Sequence, residues 1–226
     1  VRVGLLDADV HGPSVPRLLG LSAAPQPSLD SSNRLVPLRN YGVRALSMGM
    51  LIEPAKAALW RGPMVMSAIE TLTRRADWGG TDLLLLDMPP GTGDAHLSVA
   101  QRLPLVGAVV VTTPSSVAAD DAARGAAAWA AAGVPILGVV ENMGPAACAA
   151  CGAEGSVFGE GGAAALAAAG LAAPLLATVP LEAAVRARGD EGAPVVVSAP
   201  DSAAAAAFRR AAEAVWAAAR EGGPPA

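Results

Sequence analysis

The stretch Leu83-Leu84-Leu85-Leu86-Asp87-Met88-Pro89-Pro90-Gly91-Thr92-Gly93-Asp94 decides how this chain is built. Four consecutive leucines read as a strand buried on both faces, the kind found in parallel sheets covered by helices. The apolar run stops at a carboxylate, and a proline-glycine loop follows at once. An aspartate at the tip of such a strand can hold Mg²⁺ through water, while Gly91 and Gly93 let the next turn approach a terminal phosphate. The plainer alternative is a strand-to-loop junction with a solvated aspartate, and the stretch alone leaves both open.

Working outward, Val1 to Leu6 is a second apolar segment and ends in Asp7-Ala8-Asp9, so two strands end in acid. His11 to Leu19, with Gly12-Pro13 and Pro16, suits a loop entering a short helix, and residues 25–33 form a proline- and serine-rich connection. A short strand is expected at 41–48. Residues 63–78 place Val65, Ile69, Leu72 and Ala76 at helical spacing, with Arg74 and Arg75 near the C-terminal end and Gly79-Gly80 beyond. Further on, helices are expected at 95–102, 117–132, within 161–169, from 182 and at 201–220, and strands at 107–113, 134–140 and 175–179. In the last helix Phe208, Ala212, Val215 and Trp216 share one side, which reads as core packing. This rhythm predicts an α/β fold, a mainly parallel sheet with helices on both faces, and ligands at the carboxyl ends of its strands. One domain over 1–221 and a loose tail over 222–226 complete the expectation.

The chain has 226 residues, 53% of them hydrophobic, enough for one sizeable core. A net charge of −4 and the absence of any Lys or Arg cluster argue against a nucleic-acid partner. No apolar run reaches the roughly 18 to 20 residues of a membrane span. Val1 already lies within a strand pattern, so the chain is expected to be incomplete at its start. The two cysteines, Cys148 and Cys151, form no distributed disulfide framework, which fits a reducing compartment. Two thiolates at this spacing can face one soft metal centre, but a tetrahedral zinc site or a cubane cluster needs about four ligands. A thiol-disulfide pair and inert loop cysteines are the competing readings. His11 and His96 are read as polar loop residues and receive no role.

Four separated segments, in order, carry a resemblance. Gly4-Leu5-Leu6-Asp7-Ala8-Asp9-Val10-His11-Gly12-Pro13-Ser14-Val15-Pro16, Trp60-Arg61-Gly62-Pro63-Met64, Asp87 to Asp94 and Val139-Val140-Glu141-Asn142-Met143 together resemble the Mrp/Nbp-type P-loop ATPases that carry iron-sulfur clusters. Asn40-Tyr41-Gly42-Val43 and Met64-Val65-Met66-Ser67-Ala68-Ile69-Glu70 look closest to the mitochondrial branch that assembles respiratory complex I, with alphaproteobacterial relatives nearly as close. The resemblance implies that Asp7 and Asp9 are an acidic switch, with Asp9 orienting the attacking water. It implies that Asp87 is the Walker B carboxylate, holding Mg²⁺ via water, and that Gly91, Gly93 and Asp94 belong to the second switch. Asn142 matches the adenine-reading position, and Pro180 a loop whose backbone abuts the base. For Cys148 and Cys151 it implies a labile [4Fe-4S] cluster, bridged between two copies in a homodimer and passed to apo-protein acceptors. ATP, Mg²⁺ and the cluster are the implied cofactors. The mitochondrial matrix is the implied location, with bacterial cytoplasm as the alternative.

The sequence also departs from the family. Its members open with a glycine-rich phosphate loop bearing an essential lysine, and no Gly-x-x-x-x-Gly-Lys-Ser/Thr pattern occurs here. Lys56, the only lysine, has no glycine nest around it. The sequence by itself is therefore not expected to hydrolyse ATP. Without the first strand, neighbouring strands would keep unpaired apolar edges. A partition- or division-type positioning ATPase and a catalytically dead scaffold are the rival functions. The cysteine pair and the lack of a basic amphipathic tail favour the carrier over the first of these.

Overall fold

Apolar strands that end in acid need partners on their flanks, and the computed structural model, which describes residues 1–52, 59–90, 94–148 and 150–222, pairs them in two compact units. The first unit comprises Val1–Leu103 and Arg188–Pro194, the second Pro104–Ala187 and Val195–Ala226. Each has its own sheet.

In the first unit β1 (Val3–Asp7) is one of two inner strands. It runs parallel to β3 (Val43–Ser47) on one side and β4 (Leu83–Asp87) on the other, and β2 (Leu38–Asn40) closes antiparallel on β3. The register sets Asp7 opposite both Ser47 and Asp87, so the acidic tips lie side by side at the carboxyl edge. α1 (Val15–Leu18) and α2 (Met48–Leu51) are single turns that follow β1 and β3. α3 (Gly62–Arg75) buries Val65, Met66, Ile69 and Leu72, the apolar stripe read from the sequence. It ends three residues before the expected Trp78, because Ala76 turns extended and Asp77 donates its N–H to the Leu35 carbonyl at 2.8 Å. α4 (Asp94–Arg102) completes the unit's main helices.

The leucine strand departs from expectation. Among the described residues β4 pairs on one side only, so it is an edge strand rather than one buried on both faces, and Leu85 is 41% exposed. In the second unit β5 (Ala108–Thr112) is likewise an edge, with Val111 62% exposed.

That second sheet is wholly parallel, in the order β5, β6 (Ile136–Gly144), β9 (Leu175–Pro180). α5 (Ser116–Ala131) and α6 (Gly162–Ala168) are the crossovers, and Val110, Ala119, Ala126, Val139 and Leu166 form their shared core. Two short strands, β7 (Ala146–Ala147) and β8 (Glu154–Gly155), make an antiparallel ribbon between β6 and α6. α7 (Ala183–Asp190), α8 (Val195–Ser198) and α9 (Ala203–Glu221) follow β9. α9 differs from the expected face: Ala212 is exposed, and Ala204, Ala205, Ala207, Ala211 and Ala219 are buried, with Phe208 half-buried against Val179. A stripe of single methyl groups lets a helix back approach its strand more closely than Val215 or Trp216 would. Among the described residues no helix is long and apolar enough to cross a membrane.

Candidate functional site

The acidic edge of the first unit is built from the inside out. Asp7 is 1% exposed and sits where β1 ends. Its Oδ1 accepts the Asp9 N–H at 3.0 Å, and its Oδ2 accepts the Ser47 hydroxyl at 2.9 Å and the Val15 N–H at 3.3 Å. Ser47 in turn accepts the Gly49 N–H at 3.0 Å, capping α2. One buried carboxylate thus fixes the turn after β1, the start of α1 and the end of β3. Burial pushes its pKa up from the ordinary carboxylate value, and the three donors pull it partway back.

Asp9 is half-buried, and its Oδ1 accepts the N–H groups of His11 and Gly12, both at 2.9 Å, which closes the loop on itself. Asp87 is exposed, and the Asp87 carbonyl accepts the Ala8 N–H at 2.9 Å, joining the two acidic tips through backbone. Its pKa is raised first because the strand tip partly desolvates the carboxyl even though the residue as a whole is exposed, and then by the negative charges of Asp7 and Asp9. Three carboxylates therefore crowd one edge, with Asp87 the most open to solvent. Among the described residues no group of three or more His, Cys, Asp or Glu side chains is arranged to hold a metal ion, so this edge is not a ready-made metal cage. Asp94 opens α4, Gly91 and Gly93 lie outside the described residues, and so does Lys56. His11 is exposed, whereas His96 is buried in α4 rather than lying in a loop.

The second unit carries Asn142, Pro180 and the cysteines. β6 runs on past the expected Val140, so Glu141 and Asn142 belong to the strand. The Asn142 Oδ1 accepts the N–H of Met143 at 2.9 Å. Pro180 ends β9 and pairs in register with Gly144. The ribbon of β7 and β8, which the sequence reading missed, presents both cysteines in its loop. The Cys148 N–H reaches the Ala153 carbonyl and the Gly152 N–H returns to the Cys148 carbonyl, each at 2.8 Å. Gly152 adopts φ +73°, a left-handed conformation that turns the chain straight after the second cysteine.

Both thiols are free and exposed. The backbone N–H groups of Ala150 and Cys151, joined by the Cys151 thiol, draw the Cys148 pKa below that of an ordinary thiol, because they stabilise the thiolate. A groove of about 370 Å³ borders Cys148, lined also by Gly144, Ala146, Val157 and Leu181. Two thiols on one turn, one of them inclined to ionise, are suited to a soft metal.

The family model for the NUBPL iron-transfer P-loop NTPases, within the ParA group, matches residues 1–216. The chain belongs to the NUBPL family. It is 48% identical over 210 residues to the Arabidopsis thaliana iron-sulfur protein required for NADH dehydrogenase, mitochondrial, covering 92% of this chain and 66% of that protein. The Mus musculus iron-sulfur cluster transfer protein NUBPL is 47% identical over 206 residues, with 91% and 64% covered. The Helicobacter pylori iron-sulfur cluster carrier protein is 44% identical over 212 residues, with 94% and 57% covered. The chain thus spans roughly three fifths of the length of these relatives. Among solved structures, a nucleotide-binding protein from Archaeoglobus fulgidus in complex with ADP matches with a TM-score of 0.70 and 32% identity, covering 84% of this chain and 74% of that one. The septum site-determining protein MinD from Pyrococcus horikoshii, at 21% identity, shares the fold with a TM-score of 0.70, covering 99% of this chain and 87% of that one.

Proposed function

We propose that this NUBPL-family chain carries an iron-sulfur cluster, a [4Fe-4S] cubane, and hands it to apo-proteins, respiratory complex I among the destinations. The observation that carries the reading is the ribbon loop that presents Cys148 and Cys151 as exposed, free thiols on a single turn. Relatives named as cluster carriers or transfer proteins support it. The cluster is cargo, and exposed ligands suit a group that must leave again.

Two thiolates satisfy only half of a cubane's needs, which are about four ligands. In this reading the same pair from a second copy supplies the rest, giving a homodimer bridged by the cluster. We assign the acidic edge to nucleotide. Asp87 holds Mg²⁺ through water, Asp9 orients the water that attacks the terminal phosphate, and Asp7 holds the switch loop in shape. Gly91, Gly93 and Asp94 complete the phosphate side, and Asn142 with the Pro180 backbone takes the base. The ADP complex of the Archaeoglobus fulgidus relative supports the nucleotide assignment. The 226 residues hold no Gly-x-x-x-x-Gly-Lys loop, so ATP turnover is not expected of this sequence alone. The match of one family model over 1–216 supports reading the two units as parts of one NTPase-like domain. Mitochondrial and bacterial relatives support the matrix as the location, with bacterial cytoplasm as the other option.

Anaerobic reconstitution with iron and sulfide tests the reading, comparing wild type with Cys148→Ala and Cys151→Ala. Each substitution is expected to abolish the visible absorption of the cluster and its bound iron. Unchanged iron content in either variant would remove the cluster assignment.

A further inference from the structure

The cysteine ribbon is an excursion from the sheet, and its two stems are held together by one buried acid. The chain leaves β6 at Gly144 and re-enters the core at Gly162, where α6 begins. Between them lie both cysteines. Glu141, on β6, is only 6% exposed, and its Oε2 accepts the N–H of Ala163 at 2.9 Å, in the first turn of α6. A carboxylate so deeply buried is retained only where donors compensate the lost water, and this one spans the base of the loop.

The neighbouring backbone concentrates the effect. A Cβ at Gly162 would lie 2.1 Å from the Thr113 carbonyl oxygen, so the returning stem is pressed against the end of β5 with no room to slide. On the outgoing side the register of β6 against β9 breaks between Glu141 and Gly144, and Met143 sits at φ +60°. This is a bulge that holds a non-glycine residue in the left-handed region, at an energetic cost. Glu141 stands at its root. The strained turn that aims the chain toward the cysteines therefore starts from the residue that ties down the far stem.

We propose that Glu141 is a positioning residue for the cluster: its carboxylate, by clamping α6 to β6, holds the ribbon so that Cys148 and Cys151 face a single metal centre. Glu141 touches neither thiol. It acts through the stems, as groups behind the direct ligands do in other metal sites, where their loss costs about 10-fold or more in affinity. The proposal rests on the carrier reading given above.

The test is the rate at which reconstituted protein loses its iron to a colourless chelator in excess, with the visible absorption of the cluster followed in parallel. Wild type, Glu141→Gln and Glu141→Ala are compared, together with the thermal midpoint of each iron-free protein. Glutamine keeps an acceptor for the Ala163 N–H, so Glu141→Gln is expected to release iron at close to the wild-type rate. Glu141→Ala is expected to release it about 10-fold faster, with an altered cluster spectrum. Equal release rates and identical spectra for Glu141→Ala and wild type would overturn the proposal while leaving the carrier reading intact. A wild type that takes up no cluster would overturn the carrier reading and this proposal with it. Should Glu141→Ala fail to fold, Ala163→Pro decides: in the first turn of α6 the Ala163 N–H has no partner within the helix, so proline there removes the donor to Glu141 without breaking an intrahelical bond. Faster release from that variant supports the clamp, and a wild-type rate refutes it.

Discussion

Asp87 is where stability and the proposed chemistry pull in opposite directions. Its carboxyl is raised above the ordinary value by partial desolvation at the strand tip and by Asp7 and Asp9, so the folded state holds its proton more tightly than the unfolded chain does. The stabilising contribution is full below the unfolded value and is lost as pH rises through the raised folded one, so ionised Asp87 weakens the fold at neutral pH. Asp82 has the opposite sign: Arg2 holds its pKa down to about 2, and its contribution is kept above the unfolded value and lost only in strong acid. Asp87→Asn is accordingly expected to raise the thermal midpoint at pH 7, with the gain vanishing as pH falls toward 4. Millimolar Mg²⁺ should stabilise wild type at pH 7 more than the variant, because the dication offsets a repulsion among Asp7, Asp9 and Asp87 that the amide has already reduced. Midpoints across pH 3.5 to 7, with and without Mg²⁺, check both statements. A variant less stable than wild type at pH 7 would contradict them. At this scale the sequence made the acidic tips legible, since Asp7 and Asp87 each end an apolar run. It could not tell that Asp7 spends its lone pairs on Asp9, Val15 and Ser47, because the last of these is brought in by a different strand. The role of Glu141 is hidden in the sequence for the same reason: its partner, the Ala163 N–H, is 22 residues away.

Among the elements, legibility in the sequence follows the strength of the apolar pattern. The stripe of α3 and the apolar runs of β1, β5 and β9 stand out in the sequence, because each carries enough apolar residues to define a face. The ribbon of β7 and β8 consists of two residues per strand, alanine, glycine and glutamate, and no periodicity can announce it. The large side chains of α9 dominate its apolar pattern and point to one face, whereas close packing on the sheet selects the alanines. The start of that helix has a testable energetic consequence. Its first turn offers N–H groups with no partner inside the helix. The Ser202 hydroxyl accepts from Ala205 at 3.1 Å, and the Glu182 carboxylate accepts from Ala204 at 2.9 Å. Ser202→Ala is expected to lower the unfolding free energy by about 1 kcal/mol. The two caps serve different donors of the same turn, so removing both is expected to cost more than Ser202→Ala alone. Urea denaturation of Ser202→Ala, Glu182→Ala and the double variant measures this, and a double variant no worse than Ser202→Ala alone would show that the caps are redundant.

For the molecule as a whole, the decisive quantity is the number of thiolates available per cluster. Each chain has two cysteines, and among its described residues no other side chains gather into a group able to hold a metal ion. In the carrier reading proposed above, a second copy supplies the other ligands of a cubane that needs about four, and the expected loading is about four irons per pair, or two per chain. The iron-free protein is expected to sediment as a monomer and the reconstituted protein as a dimer, reverting when a chelator removes the iron. The exposed position of both thiols permits this without rearrangement of either sheet. Tagged and untagged copies make the prediction sharper: wild-type copies should co-purify only after reconstitution, and Cys148→Ala copies never. The alternative, a cluster completed within one chain by groups such as bound small thiols, gives full iron content in a monomer and no co-purification. Sedimentation and iron analysis on the same sample separate the two, since only the shared site ties the gain in mass to the uptake of metal.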